Sequence, residues 1–182
     1  TENLSPVRYI NYCNKVKGSS SASGCSMNSL IASVGWTEDS RDDILFPKKG
    51  GLRRVNGEVS APGLDIQMYK LTFQQSVYRE ITNDLTLMVN GQAGYANSYG
   101  DKEFPFFKNF YVGGVNSVRG YRLSSIGPVC LAGDASCGTT TQTRNMFLGG
   151  TKQLVGNIEL FMPVPFMKNN NQFRLSAFID AG

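Results

Sequence analysis

The sequence predicts an all-β protein built from antiparallel, up-and-down strands. Three observations carry this prediction: apolar residues almost never recur at helical spacing, period-two alternation of apolar and polar residues recurs along the chain, and turn-forming residues separate the alternating segments. The chain of 182 residues is long enough for one domain with a sizeable core. Charged residues make up only 18% of it, below the roughly 25% usual for soluble domains, which is a mild indication of a surface not built for water.

Four segments alternate clearly, and each predicts a strand with one apolar and one polar face. A fifth strand is expected within Gly149–Pro165, where Asn157 and Glu159 share the polar face. The stretch between the first two segments is long enough for one more strand, so we expect about six strands in all. The four apolar sets are, in chain order, Leu30, Ala32, Val34 and Trp36; Tyr69, Leu71, Phe73 and Val77; Leu85, Leu87, Val89, Ala93 and Tyr95; and Phe173, Leu175, Ala177 and Ile179.

Short connections rich in turn formers separate the first four strands, at Phe46–Gly51, Ala61–Asp65 and Arg79–Asp84. Two long connections, rich in Ser, Gly and Thr, contrast with these and span about residues 11–27 and 97–145. Hairpin connections alternate between the two ends of a sheet. Four strands joined by three short connections therefore place both long connections at the same end.

Two architectures fit this alternation. A soluble β-sandwich buries one face of each strand and shows the same pattern. A transmembrane outer-membrane β-barrel instead turns its apolar face to lipid and its polar face to a wet lumen, with short turns at the periplasmic end and long loops outside. The polar faces carry Lys, Gln, Asn and Thr, and Tyr and Trp lie near strand ends, where a barrel has its aromatic girdles. The pattern favours the barrel without excluding the sandwich.

The chain contains no histidine and four cysteines. Without histidine, a Ser-His-Asp arrangement and most zinc sites are excluded. The cysteines form no Cys-x-x-Cys motif, so we expect no metal site. The simplest of the three possible disulfide connectivities closes two short polar loops, Cys13 with Cys25 and Cys130 with Cys137, which implies an oxidising compartment.

The net charge of +4 comes from scattered lysines and arginines, so we expect no nucleic-acid partner. No run approaches the roughly 18 apolar residues of a membrane helix, and the first residues carry no signal-peptide pattern. The last residues, Phe178–Gly182, stop within a strand-like alternation. The missing signal peptide fits either a cytoplasmic protein or a piece of a longer one, and the strand-like end favours the piece. About six strands are fewer than the eight of the smallest closed barrels, so we expect residues 1–182 to be an incomplete portion of a barrel domain, from its central to late strands.

One arginine stands out in the long second loop. The tetrapeptide Val118, Arg119, Gly120 and Tyr121 lies in residues 111–128, a run too rich in glycine and serine for a regular element. An aromatic run at Phe104–Phe110 precedes it, and we expect this run to pack the loop inside the barrel.

Glu159 and Asp180 lie on the polar faces of two neighbouring strands, where two carboxylates would repel each other. A guanidinium can bond both carboxylates and keep its charge. We therefore expect the loop to fold into the lumen and Arg119 to contact both acids. The alternative is a solvated Arg119, with Asp180 paired to Arg174. Because an arginine is expected between the carboxylates, a structural contact is favoured over acid/base catalysis by Glu159 and Asp180. We therefore expect that the protein is not an enzyme and that it binds no cofactor.

Three motifs occur in order: Phe110–Gly114 with Val118–Tyr121 and Ile126–Pro128, then a Gly-Gly strand ending in Asn-x-Glu-x-x-x-Pro-x-Pro, then Phe-x-Asp-x-Gly. Together they resemble the BamA family, the central subunits of the bacterial β-barrel assembly machine. The resemblance extends upstream through Gly35 and Ala61–Gly63, so it covers most of the chain. It implies that the Arg-Gly loop is clamped to the barrel wall by its arginine.

The resemblance also implies the function and the partners. The parent protein would fold and insert outer-membrane proteins in the bacterial outer membrane, with unfolded outer-membrane proteins as substrates and with assembly-machine lipoproteins and membrane lipid as partners. The related TamA subunit and the two-partner secretion translocators share the Arg-Gly loop, so a translocator or a porin-like transport protein is the alternative. No POTRA domains are present in these residues, although the resemblance implies that they precede such a barrel.

Overall fold

The computed structural model describes residues 12–16, 27–131, 146–164 and 173–182. Residues 12–16 are helical, and Phe106–Lys108 form one 3-10 turn. Within these described ranges, no helix has the length and apolarity needed to cross a membrane. The strands are β1 (Ile31–Asp39), β2 (Gly50–Ser60), β3 (Met68–Thr82), β4 (Leu85–Ser98), β5 (Val129–Cys130), β6 (Met146–Phe147), β7 (Lys152–Pro163) and β8 (Arg174–Ala181).

Six of these strands form one antiparallel sheet in the order β1-β2-β3-β4-β7-β8. Each strand pairs with the next long strand along the chain, which is the up-and-down topology of a barrel wall. The predicted all-β class and the count of about six strands are confirmed. Among the described residues, the two short strands β5 and β6 pair only with each other, and they lie within the connection from β4 to β7.

The two faces of the sheet have the opposite polarity from those of a soluble protein. Apolar side chains on one face are open to the surroundings, with Val34 and Leu154 both 76% exposed. The opposite face buries polar side chains, among them Ser76, Asn90 and Asn157. A sandwich would bury its apolar face, whereas an outer-membrane barrel turns it to lipid. The sandwich alternative is wrong, and the sheet is part of a transmembrane outer-membrane β-barrel.

An aromatic pair marks one end of the outward, apolar face. The rings of Tyr69 on β3 and Tyr95 on β4 lie 6.0 Å apart between centroids, and both side chains are exposed. Lys152 stands opposite Tyr95 in the β4–β7 register. This arrangement matches the girdle of amphipathic residues that barrels place at the membrane interface.

The first long connection leads into β1 and the second leaves β4 at the same end of the sheet, as predicted from the alternation of the short connections. Ile31 at the start of β1 pairs with Ser60, and Met68 at the start of β3 pairs with Ser98 at the end of β4. The two connections also touch, because the Tyr12 hydroxyl donates a hydrogen bond to the Glu103 carbonyl at 3.0 Å. We call this the loop end of the sheet and the opposite one the turn end.

All three predicted short connections have different bounds, and the one predicted at Ala61–Asp65 spans residues 61–67. The prediction of a connection at Arg79–Asp84 is wrong, because β3 continues to Thr82 through a register irregularity and leaves only Asn83 and Asp84 as the turn. The turn formers lie at the end of this segment, whereas Glu80 belongs to the strand and makes an ion pair with Lys49 at 2.8 Å. The connection from β1 to β2 is longer than Phe46–Gly51 and spans residues 40–49.

The described part of the long second loop folds onto the inward, polar face. Val112 and Val118 pack against Val155 of β7 and form a small buried apolar cluster, with Ile126 beside it. Gly182 lies so close that a Cβ there would come within 2.7 Å of Val118. The in-folded loop is thus held against the strands that carry Glu159 and Asp180.

Candidate functional site

The loop presents Arg119 through a tight, hydrogen-bonded turn. The Gly114 N–H donates to the Val118 carbonyl at 3.1 Å, and the Gly113 N–H donates to the Ser117 hydroxyl at 2.8 Å. Gly120 follows with a φ of 86° and nothing within 4 Å of its missing Cβ, so glycine is required there by conformation and not by crowding. Because Val118 is buried before Arg119 and the chain reverses after it, the guanidinium is directed at the wall.

Arg119 bonds two strands at once. Its Nε and Nη2 donate to Asp180 Oδ2 and Oδ1, each at 2.7 Å, which is a bidentate pair with β8. Its Nη1 donates to Glu159 Oε2 on β7 at 2.8 Å. Its backbone N–H also donates to Asp180 Oδ2, at 2.9 Å. The structure therefore brings together the three residues that the sequence selected, and Arg174 instead donates to the Phe46 carbonyl.

The contact is largely shielded from solvent. The side chains of Arg119, Glu159 and Asp180 are 22%, 11% and 3% exposed. The hydrogen bonds to Asp180 raise the pKa of the Arg119 guanidinium above its already high ordinary value, burial opposes this shift, and the hydrogen bond to Glu159 adds to it, so the group stays charged. The Phe178 ring covers the guanidinium, with its centroid 3.6 Å from Cζ, and adds a cation–π contact.

A ladder of hydrogen-bonded amides supports Asp180, and the strand alternation does not predict it as part of the site. The Ser76 hydroxyl donates to Asn90 Oδ1 at 2.9 Å, and Asn90 Nδ2 donates to Asn157 Oδ1 at 2.8 Å. Asn157 Nδ2 then donates to Asp180 Oδ1 at 2.9 Å and to the Ser117 carbonyl at 2.6 Å.

Every bond of this ladder points the same way, from β3 across β4 and β7 to the carboxylate. Each amide is oriented by its neighbour, so Asn157 must present its N–H groups to Asp180 and to the loop. The alternation had already placed Asn157 on the inward face. The register that sets Asn90 opposite Asn157 was the missing information.

The loop makes a second contact with the wall at Phe110, some distance along the chain from Arg119. The Phe110 ring lies over Gly94 of β4, where an added Cβ would come within 2.6 Å of it. Lys70 of β3 covers the ring with its Nζ 4.2 Å from the centroid and donates to the Lys108 carbonyl at 2.9 Å. Phe110 also bridges Gly150 through two backbone hydrogen bonds of 2.8 and 3.0 Å. Of the aromatic run Phe104–Phe110, Phe110 thus packs on the inward face as expected, whereas the Phe106 and Phe107 rings contact Tyr12 of the first long connection.

The remaining predicted residues fall outside these contacts. Tyr121 is 60% exposed among the described residues and does not join the Arg119 contact. Cys13 and Cys130 are disulfide-bonded. Cys25 and Cys137 lie outside the described residues, so the pairing of the four cysteines stays a prediction. Within the described ranges, no three acidic, Cys or His side chains group in a way that could hold a metal ion.

Comparison with known proteins identifies the family. The model of the Omp85 superfamily domain matches residues 3–182. The chain belongs to the Omp85 superfamily. The Omp85 match covers both long loops and all six wall strands, so the Arg119 contact lies wholly within the family domain.

Named relatives agree with the resemblance found in the motifs. The outer membrane protein assembly factor BamA of Neisseria meningitidis serogroup B is 35% identical and covers 100% of this chain and 22% of that protein. The sorting and assembly machinery component 50 homolog A of Xenopus laevis is 31% identical over 79% of this chain and 29% of that protein. The resemblance to BamA is confirmed, and this Omp85 chain spans between a fifth and a third of these relatives.

A solved structure matches the fold. The crystal structure of BamA from Haemophilus ducreyi lacking POTRA domains 1-3 superposes with a TM-score of 0.76 at 26% sequence identity. The match covers 93% of this chain and 33% of that one. The antiparallel wall of this Omp85 chain is therefore part of a BamA-like barrel.

Proposed function

We propose that this chain is part of a bacterial outer-membrane protein assembly factor that folds and inserts other β-barrel proteins. The observation that carries the proposal is the 35% identity to Neisseria BamA across the whole chain. We choose a bacterial outer membrane because the Neisseria relative aligns with more of this chain than the Xenopus relative does. The substrates would be unfolded outer-membrane proteins, and the partners assembly-machine lipoproteins and membrane lipid.

We propose that the reaction is one of strand pairing and not of bond chemistry. Substrate strands would add to an exposed edge of the complete barrel, where backbone hydrogen bonds recognise a strand with little regard to sequence. The outward apolar face would keep each added strand in contact with lipid. Nothing in this step requires a nucleotide or a metal.

The Arg119 contact would serve this reaction as a loop-to-wall clamp. A barrel that opens at an edge needs the rest of its wall to keep its register, because a one-residue slip reverses the faces of a strand. Arg119 bonds β7 through Glu159 and β8 through Asp180 at the same time. The clamp would therefore fix these two strands relative to each other and keep the loop in the lumen.

The test is reconstitution of the intact protein in liposomes with an unfolded outer-membrane porin as substrate. Folded porin is counted by its heat-modifiable gel shift over time. We expect faster folding than in empty liposomes, with little steady ion conductance. A folding rate equal to that in empty liposomes, together with a large steady conductance, would contradict assembly and support the transport alternative.

A further inference from the structure

Charged side chains on the outward face of the six-stranded sheet occur only at its two ends. The strand registers place every outward position between these ends on an uncharged residue. Lys152 stands at the loop end, opposite Tyr95. Three charges gather at the turn end: Glu38 on β1, Arg53 on β2 and Arg79 on β3. These two ends mark the limits of the apolar band that lipid covers.

A groove of about 480 Å³ opens at the turn end and is lined by all three of these residues. Gly50 and Gly51 also line it. A Cβ on Gly51 would lie 2.7 Å from the Ser76 carbonyl oxygen, so the backbones approach too closely there for a side chain. Gly50 and Gly51 therefore contribute only backbone to the lining of the groove.

The charges in the groove are unevenly neutralised. Arg53 lies 3.5 Å from Glu38, with both side chains about half exposed, and Lys49 lies 2.8 Å from Glu80. Arg79 is exposed and makes no ion pair or side-chain hydrogen bond with the residues that the structure describes. Three cations thus meet two carboxylates in this lining, and the free cation is a guanidinium suited to phosphate.

The groove continues directly into the apolar band. Arg79 stands opposite Leu87 in the β3–β4 register, and Val77 stands opposite Val89. The alkyl chain of a ligand bound by Arg79 would therefore contact the outward side chains of Val77, Leu87 and Val89. A free phosphate ion would gain the charge contact but none of this apolar contact.

We propose that the groove binds the phosphate of a membrane phospholipid headgroup through Arg79 and Arg53, with the acyl chains on the adjoining apolar face. Arg79 supplies the free guanidinium, and Arg53 turns from its exposed partner Glu38 to the same phosphate. The exposed Arg53–Glu38 pair is worth little in water, so exchanging it for a phosphate contact costs little. Basic residues beside an apolar surface are the arrangement that attracts lipid headgroups.

The test measures lipid binding by the intact, delipidated protein in detergent, with dioleoyl phosphatidylglycerol titrated and each bound molecule counted by native mass spectrometry. We expect one site that Arg79→Gln weakens at least about fivefold, since a hydrogen bond to a charged group is lost. Arg79→Gln leaves no internal partner unpaired, so its fold should be retained, and the heat-modifiable gel shift checks this. Arg53→Gln should weaken the same site by a smaller factor.

The matched control is Arg54→Gln, which removes the neighbouring arginine on the inward face and should leave the affinity unchanged. Equal affinity in wild type and Arg79→Gln would overturn the proposal, as would equal losses in Arg79→Gln and Arg54→Gln. A second arm adds inorganic phosphate at millimolar concentration. Displacement of the lipid by inorganic phosphate alone would also overturn the proposal, because it would indicate a simple ion site.

Discussion

The long loop meets the barrel wall at two places that use opposite chemistry. At Arg119, three charged side chains and a ladder of amides meet in defined hydrogen bonds. At Phe110, an aromatic ring lies on a glycine and beneath the ammonium group of Lys70. Burial of an aromatic ring is favourable in many orientations, whereas a bidentate ion pair is favourable in one. We therefore expect the Phe110 contact to hold the loop on the wall and the Arg119 contact to fix the register of β7 and β8.

The largest expected effect comes from removing the register contact. Arg119→Ala leaves Glu159 and Asp180 facing each other with little solvent, so we expect the free energy of unfolding of the intact protein to fall by about 3 kcal/mol. Urea titration followed by the heat-modifiable gel shift measures this. Arg119→Lys keeps the charge but not the bidentate geometry, and it should recover only part of the loss. An unchanged urea midpoint in Arg119→Ala would show that the contact adds no stability.

The attractive contact is tested through the glycine beneath the ring. A Cβ at Gly94 comes within 2.6 Å of Phe110, so we expect Gly94→Ala to displace the loop and to cost about 2 kcal/mol. Protease cleavage within the loop should rise with it. Gly91→Ala is the matched control, because it lies three residues earlier on the outward side of β4 with nothing within 4 Å. Equal effects of the two substitutions would mean that the Phe110 contact is not specific.

The amide ladder is expected to matter less than the arginine it supports. Asn157→Leu removes the donors to Asp180 and to the Ser117 carbonyl, and we expect a loss of about 1–2 kcal/mol. A double-mutant cycle with Arg119→Ala should give a coupling free energy of at least about 0.5 kcal/mol, because both residues bond Asp180. Gln153→Leu, on the same face of β7, is the control. Strictly additive losses would separate the ladder from the clamp.

The smallest expected effect concerns the contact between the two long connections, where the Tyr12 hydroxyl bonds the Glu103 carbonyl. Burial, with a smaller contribution from Glu103, raises the pKa of Tyr12 to about 12. A raised pKa stabilises the folded state fully below the unfolded value near 10, and this contribution is lost as pH rises from 10 to 12. Unfolding midpoints measured across this range should fall in wild type and fall less in Tyr12→Phe. The exposed Tyr121→Phe should follow wild type.

Some of the site could be predicted from the sequence because the strand period fixes the face of each residue. Alternation alone assigns Glu159 and Asp180 to the polar face, and the Val-Arg-Gly-Tyr motif marks Arg119, rather than the neighbouring Arg122, as their partner. Lys70 was also assigned to the polar face. The contact of Lys70 with Phe110 could not be predicted, because it depends on the path of the loop across the inward face of the sheet.

The same limit explains the error at the end of β3 and the omission of Asn90. The turn formers Asn83 and Asp84 predict a connection, but they do not show where the strand before them ends. Arg79 and Glu80 belong to the strand because they pair with Leu87 and Thr86 of β4, and Glu80 also makes an ion pair with Lys49. Asn90 and Asn157 become neighbours through the register of two strands 67 residues apart, which composition does not specify.

The two acids that bond Arg119 lie on strands that follow one another along the chain, Glu159 on β7 and Asp180 on β8. The long loop joins β4 to β7, and these two strands pair with each other, so the loop could close over its own hairpin with Glu159 alone. Asp180 belongs to the strand that follows. Arg119 makes its full set of bonds only when β8 is paired beside β7, so we expect its bidentate bond to Asp180 to form after its bond to Glu159 as the wall is completed.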